Sequence, residues 1–376
     1  MTMNNFLKTD IVKKARIMVV GCGTLGNEVL KNLAMLGAGT IVSVDFDNIE
    51  KENIYSSALF AMAGDCIGKP KVIVASEIIK RINPEIEVLP LNVDFCYGIG
   101  LGLIQSMDMV VSCVDNRWTR YIINRYCMAV GTPWIDGGIS EFEGSVKAFS
   151  PGKGCYACLI GDAQQAEMSL RFSCPGIVRR NIRSAHAPVN PLIASFIGAL
   201  QVQETFKIIS NLKDNTSIDT SEGKIISFDG KNLSLSVSSF EAWDEECIEH
   251  QRIEKIKDCG ILTSDSIKDT LAKINRFFNS SDASFSLDRQ PFVSEVISME
   301  DDKSFPVMKP ASQVENFITL HPELRGLPIG LYRQTEWSAI DSSFLWQNMT
   351  LKDLGIPSED ILTVFVNGDE HYFYVK

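Results

Sequence analysis

Residues 18–37 read MVVGCGTLGNEVLKNLAMLG: a β-branched, apolar run, glycines at Gly21, Gly23 and Gly26, then apolar residues at helical spacing. Leu25, Val29, Leu33 and Leu36 recur with the period of one helix face, whereas RIMVV before them has strand length. The spacing Gly21-x-Gly23-x-x-Gly26 is that of a strand turning into a helix under a nucleotide's phosphates. Gly21 makes the tight turn, Gly23 lets backbone approach phosphate oxygens, and Gly26 lets helix and strand pack closely. The helix start adds free N–H groups and partial positive charge. Asp45 ends the next strand run, TIVSVDFD, where an acid can hold ribose hydroxyls. A nicotinamide-dependent oxidoreductase uses the same two features, and a glycine turn that only eases packing shows the first. Residues downstream must decide.

Outward from this turn, strands and helices alternate. GKPKVIVASEIIKRINP reads as a helix, EIEVLPLNV and MDMVVSCVDN as strands, RWTRYIINRYCMAVG as a helix and PWIDGGI as a strand. That order predicts an α/β fold with a Rossmann-like, doubly wound and mostly parallel sheet covered on both faces. After Ser150 comes a glycine- and cysteine-bearing loop, PGKGCYACLIGD. Asn190-Pro191 then caps and opens a long buried helix, and Asp229-Gly230 marks a hairpin. The first domain is expected over 1–250, with a linker or long loop over 251–284. A small α+β domain is expected over 285–376, its TLKDLGIP and DILTVFVNG having a β-grasp-like rhythm. This last domain either recruits a protein partner or only covers the core.

The net charge of −11 argues against a nucleic-acid surface. The apolar stretch PLIASFIGAL is too short for a membrane span, and no secretory signal is visible at the N-terminus. Ten cysteines without such a signal read as cytosolic thiols or metal ligands, so a cytoplasmic protein is expected. Cys155-x-x-Cys158 and Cys247-x-x-His250 are two close ligand pairs separated by a long insertion, which suits a closed tetrahedral zinc site. The alternative is buried cysteines with a surface histidine.

The ordered set GCGTLG, VDFDNIEKENI, GKPK and CVDN resembles the ubiquitin-activating enzymes and their bacterial relatives MoeB, ThiF and HesA, over about residues 15–250. The resemblance implies an adenylation domain that binds ATP and adenylates the C-terminal carboxylate of a small ubiquitin-like or sulfur-carrier protein. It further implies a homodimer and a conjugating enzyme as a partner. By that resemblance Asp45 holds the ribose, Asp47 and Asn53 are polar residues of the same loop, and Asn53 lies near the phosphates. Lys71 stabilises charge on the phosphates, and Asp115 is the magnesium-associated aspartate. The chemistry suits these types, since a carboxylate attacking an α-phosphate brings two anions together.

In relatives that form a thioester or persulfide, a cysteine lies between the zinc knuckle and the long helix. Cys174 is the cysteine in that loop, and Arg171, Arg179 and Arg180 beside it favour the thiolate nucleophile. A plain buried cysteine is the competing reading. Two departures weaken the match. Ser56 stands where the family has a phosphate arginine, and no arginine precedes Arg16. Lys69, Arg117 and Arg120 are candidate substitutes; failing them, the chain is a catalytically weakened scaffold or heterodimer partner.

Overall fold

The computed structural model describes residues 9–160, 190–240, 246–287, 289–298, 302–321 and 332–376. The described residues divide into two units, the first lying within 9–95, 104–160 and 190–252, the second within 96–103 and 253–376.

The first unit is built on an eight-stranded sheet. Its strands are β1 (Arg16–Val20), β2 (Thr40–Val44), β3 (Glu87–Leu91), β4 (Met109–Ser112), β5 (Trp134–Ile139), β6 (Glu143–Phe149), β7 (Lys224–Asp229) and β8 (Ser234–Ser239). They run in the order β3-β2-β1-β4-β5-β6-β7-β8. The first five are parallel, and the last three extend the sheet antiparallel. Pro90, which cannot donate to a ladder, is tolerated because β3 is an edge strand.

The long helices of this unit are α1 (Thr24–Leu36), α2 (Lys71–Ile82), α3 (Arg117–Val130) and α4 (Pro191–Asp214). Asn116 caps α3 by accepting from Thr119 N–H at 2.8 Å, and Asn190 caps α4 by accepting from Leu192 N–H at 2.9 Å. Gly37 and Gly131 close α1 and α3 in the left-handed conformation. Ile17, Val19, Leu30, Leu33, Ile41, Ile78, Ile197 and Phe206 share one buried core. Truncating a leucine such as Leu33 there costs about 2–5 kcal/mol. Helix α4 is long and apolar enough to cross a membrane, against the expectation that its apolar stretch is too short. It packs as a core helix instead, burying Gln201 and Glu204 along with its apolar residues.

The second unit carries two sheets. The five-stranded sheet has the order β14-β10-β15-β16-β9, formed by β9 (Lys257–Ile261), β10 (Ser284–Ser286), β14 (Ala339–Ile340), β15 (Asp360–Val366) and β16 (Asp369–Val375). The three-stranded sheet pairs β11 (Phe292–Ser298) with β12 (Ser304–Pro310) and β13 (Tyr332–Trp337). Helix α5 (Ile267–Phe278) follows β9 and helix α6 (Ala311–Leu320) follows β12. Asn367 and Gly368 both have positive φ, the two-residue turn that suits the β15–β16 hairpin.

The expected linker over 251–284 is corrected here, because the stretch holds β9 and α5. Ile267, Leu271 and Ile274 of α5 are buried in the core of the second unit, and Ser266 caps the helix by accepting from Asp269 N–H.

Candidate functional site

Strand addition changes direction between β1 and β4: β2 and β3 lie to one side, β5 and β6 to the other. The turns leaving the carboxyl ends of β1 and β4 lie against each other at this switch point, where open α/β sheets bind ligands. Gly21 follows β1 with φ +91°, and a Cβ there would lie 2.7 Å from the Cys113 carbonyl oxygen. A Cβ on Gly26 would lie 1.9 Å from the Gly21 carbonyl oxygen, so only glycine allows this approach of helix to turn. Gly23 is different. A Cβ there would meet no atom within 4 Å, which leaves its backbone approachable rather than packed.

Asn27, which the sequence reading passed over, braces the turn. Its Nδ2 donates to the Cys22 and Gly23 carbonyls at 2.7 and 3.0 Å, and its Oδ1 accepts from Leu59 N–H at 3.0 Å. An asparagine at the start of the apolar helical run NEVLKNLAML, where propensity disfavours it, is the signal that was available.

Asp45 lies just past β2. Its two oxygens accept from Cys22 N–H at 2.6 Å and Asp47 N–H at 2.8 Å, tying the acid to the glycine turn. Burial pushes the Asp45 carboxyl above the usual carboxylate range, against the pull of Lys71 and these two donors. Lys71 opens α2 and pairs with Asp47 Oδ2 at 2.9 Å. Burial works to lower the Lys71 ammonium, but the nearby Asp45 and Asp47 outweigh it and hold the pKa above the usual lysine value. Asn53 accepts from Glu50 N–H at 2.9 Å within its own loop. Ser56 accepts from Thr24 Oγ1 at 3.0 Å, so the residue standing at the arginine's place bonds to the first residue of α1.

Asp115 is exposed, in the turn between β4 and α3. Of the three candidate substitute cations, Lys69 and Arg117 are exposed, but Arg120 is committed elsewhere. Its Nε donates to Asp136 Oδ1 at 2.8 Å, and its Nη2 donates to the Val114 and Gly137 carbonyls at 2.7 and 3.3 Å.

The four expected metal ligands come together in the first unit. Cys155, Cys158, Cys247 and His250 offer ligand atoms that all lie within 4.8 Å of one another. Cys155 Sγ is 3.7 Å from Cys158 Sγ and 3.8 Å from Cys247 Sγ, and Cys158 Sγ is 3.3 Å from His250 Nε2. Thiolates about 2.3 Å from a tetrahedral zinc stand about 3.8 Å apart, so the spacing fits such an ion. Burial pushes the Cys155 and Cys247 thiols up; a bound divalent cation reverses that balance. Glu249, between the last two ligands, accepts from Tyr121 Oη at 2.6 Å, and Tyr156 N–H beside Cys155 donates to Asn124 Oδ1 at 2.9 Å. Both supports stand on α3, and neither was read from the sequence. Cys174, Arg171, Arg179 and Arg180 lie outside the described residues.

Comparison with known proteins gives the family and the fold. The model of the ThiF family matches residues 6–248. The SAMP-activating enzyme E1 of Haloferax volcanii is 27% identical over 255 residues, covering 68% of this chain and 84% of that protein. The sulfur carrier protein ThiS adenylyltransferase of Escherichia coli is 30% identical over 220 residues, covering 58% of this chain and 79% of that protein. Among solved structures, E. coli MccB superposes with a TM-score of 0.52 at 23% identity, covering 67% of this chain and 69% of that one, a likeness of fold.

Proposed function

This chain belongs to the ThiF family, and from that premise we propose that its first unit uses ATP to adenylate the C-terminal carboxylate of a small ubiquitin-like or sulfur-carrier protein. The observation that carries the reading is the bonded junction of Asp45, the glycine turn, Asp47 and Lys71 at the switch point. A dinucleotide site accounts for the turn and Asp45, but not for a half-buried lysine set beside them with its charge secured by two carboxylates.

In the reaction a carboxylate oxygen bonds to the α-phosphorus, and the bond from that phosphorus to the bridging oxygen of pyrophosphate breaks. The products are an acyl-adenylate and pyrophosphate. The backbone of Gly23 and the start of α1 bind phosphate oxygens, Asp45 accepts from ribose hydroxyls, and Lys71 offsets the charge that builds up as two anions meet. Asp115, exposed just beyond the central strand β4, fits as a magnesium carboxylate, and the ion would supply the remaining charge neutralisation. Cys155, Cys158, Cys247 and His250 would hold zinc as a closed structural site with no position open to substrate. A later thioester on Cys174 is supported by its place in the sequence alone.

ATP–pyrophosphate exchange with a small Gly-Gly-terminated protein as carboxylate donor tests the reading. Exchange is expected, and Lys71→Ala should slow it by about 100-fold. A chain that binds no ATP in the presence of magnesium overturns it. The short Ser56 side chain, bonded to Thr24, favours one second reading. ATP binding without exchange for any such donor would mark the chain as a scaffold or heterodimer partner.

A further inference from the structure

Asp136 is the most deeply buried carboxylate near the switch point, its side chain 1% exposed, and the proposed reaction does not use it. It lies on β5 beside the end of β4, paired in register with Ser112. Its Oδ1 accepts from Ser112 Oγ at 3.0 Å and from Arg120 Nε at 2.8 Å. Its Oδ2 faces Lys147 Nζ of β6 at 3.7 Å. Arg120 then turns its Nη2 onto the Val114 carbonyl at 2.7 Å. The result is a closed ring. From Asp136 it runs through the Ser112 hydroxyl, along the backbone of Cys113 to Val114, across the Arg120 guanidinium and back to the carboxylate.

The ring encloses the two residues immediately before Asp115. The same stretch is fixed from two other sides. Cys113 N–H donates to the Val20 carbonyl at 2.8 Å, and Gln201 Nε2 donates to the Ser112 carbonyl at 2.9 Å. Here charged groups have been taken out of water to grip the Val114 carbonyl and, less closely, that of Gly137, an arrangement whose desolvation cost makes it a weak device for stability alone. Arg120 stays charged in this setting: burial works against it, but Asp136 holds its pKa above the ordinary value.

We propose that Asp136 is a positioning residue that, through Ser112 and Arg120, fixes the turn presenting Asp115 to a nucleotide-bound divalent cation. This rests on the reading of Asp115 given above. Supports that hold a metal ligand in one orientation govern metal affinity without touching the metal.

Calorimetric titration of the full chain with ATP, first in EDTA and then at rising magnesium, separates the two claims. In the unaltered chain magnesium tightens ATP binding, and Asp115→Asn removes that tightening. Asp136→Asn keeps an oxygen acceptor but loses the charge. It should raise the magnesium concentration for half of the effect by about tenfold, leaving binding in EDTA unchanged. Ser112→Ala removes one leg of the ring, keeps every charge, and should shift the midpoint less in the same direction; it decides alone should Asp136→Asn not fold. Normal magnesium midpoints in both variants, with Asp115→Asn still defective, overturn the role of Asp136 and leave that of Asp115 standing. No magnesium effect in the unaltered chain overturns both.

Discussion

The first unit holds two sites built on opposite principles. The glycine turn is made from backbone: Gly26 meets Gly21 five positions away, and their approach is set by the absence of side chains. The metal knuckle is made from side chains, with Cys155 and Cys247 92 positions apart and brought to 3.8 Å. The first is enforced by sterics before any ligand arrives. The second places soft ligands at the edge length of a tetrahedron and leaves an ion to secure them. A nucleotide site made the first way should tolerate almost nothing at its packed glycines, whereas loss of the knuckle's ion should spare the rest of the unit.

The largest effect expected is from Gly26→Ala. A Cβ 1.9 Å from a backbone oxygen cannot be absorbed by a rotamer change, so a loss of more than about 4 kcal/mol is expected, read by chemical denaturation. A variant of normal stability would show the turn to be pliable and remove the contrast. Next comes metal removal. Metal analysis should find about one zinc per chain, and Cys247→Ser should release it at a cost of about 3 kcal/mol. The core of the unit remains, so ATP binding should survive; its loss would join the two sites that the comparison keeps apart.

A pH effect is expected at Asp45. Burial raises its pKa in the fold, so its contribution to stability is present below the ordinary carboxylate value and is lost as pH rises through the raised one. ATP binding by the ionised form runs the other way and should weaken as pH falls through that same raised value. Calorimetry across this range checks both signs, and pH-independent binding would remove Asp45 from the ribose. The smallest expected effect is from Gly23→Ala. With no atom within 4 Å and φ −70°, alanine fits; its gain through the unfolded state is offset by its poorer capping of α1, so stability should change by less than about 0.5 kcal/mol while ATP binding weakens. A larger stability loss would mean that Gly23 is packed like its neighbours.

The same division explains what could be read from the sequence. The strands from RIMVV to PWIDGGI, the helices between them and the hairpin after Asp229 follow from local period and turn chemistry, and they stand as read. Their spatial order, with β4 beside β1, was not in any local window. Nor was the partner of Arg120, since nothing near it in sequence points to Asp136 on the neighbouring strand. The stretch called a linker misled for a different reason. Ile267, Leu271 and Ile274 do show the helical period after a Ser266 cap, but Asn279, Ser280 and Ser281 just beyond them have the composition of a loop. Sequence could name residues such as Asp45, Lys71 and Cys155; their bonding waited for the fold.

The sheet of the second unit carries a consequence for biosynthesis. Among the described residues β9 pairs only with β16, and Lys257 of β9 meets His371 of β16 114 positions downstream. At about 5–20 residues per second on the ribosome, β9 and the apolar face of α5 wait on the order of ten seconds for the strand that shelters them. During translation this is the part of the molecule that a chaperone would be expected to hold.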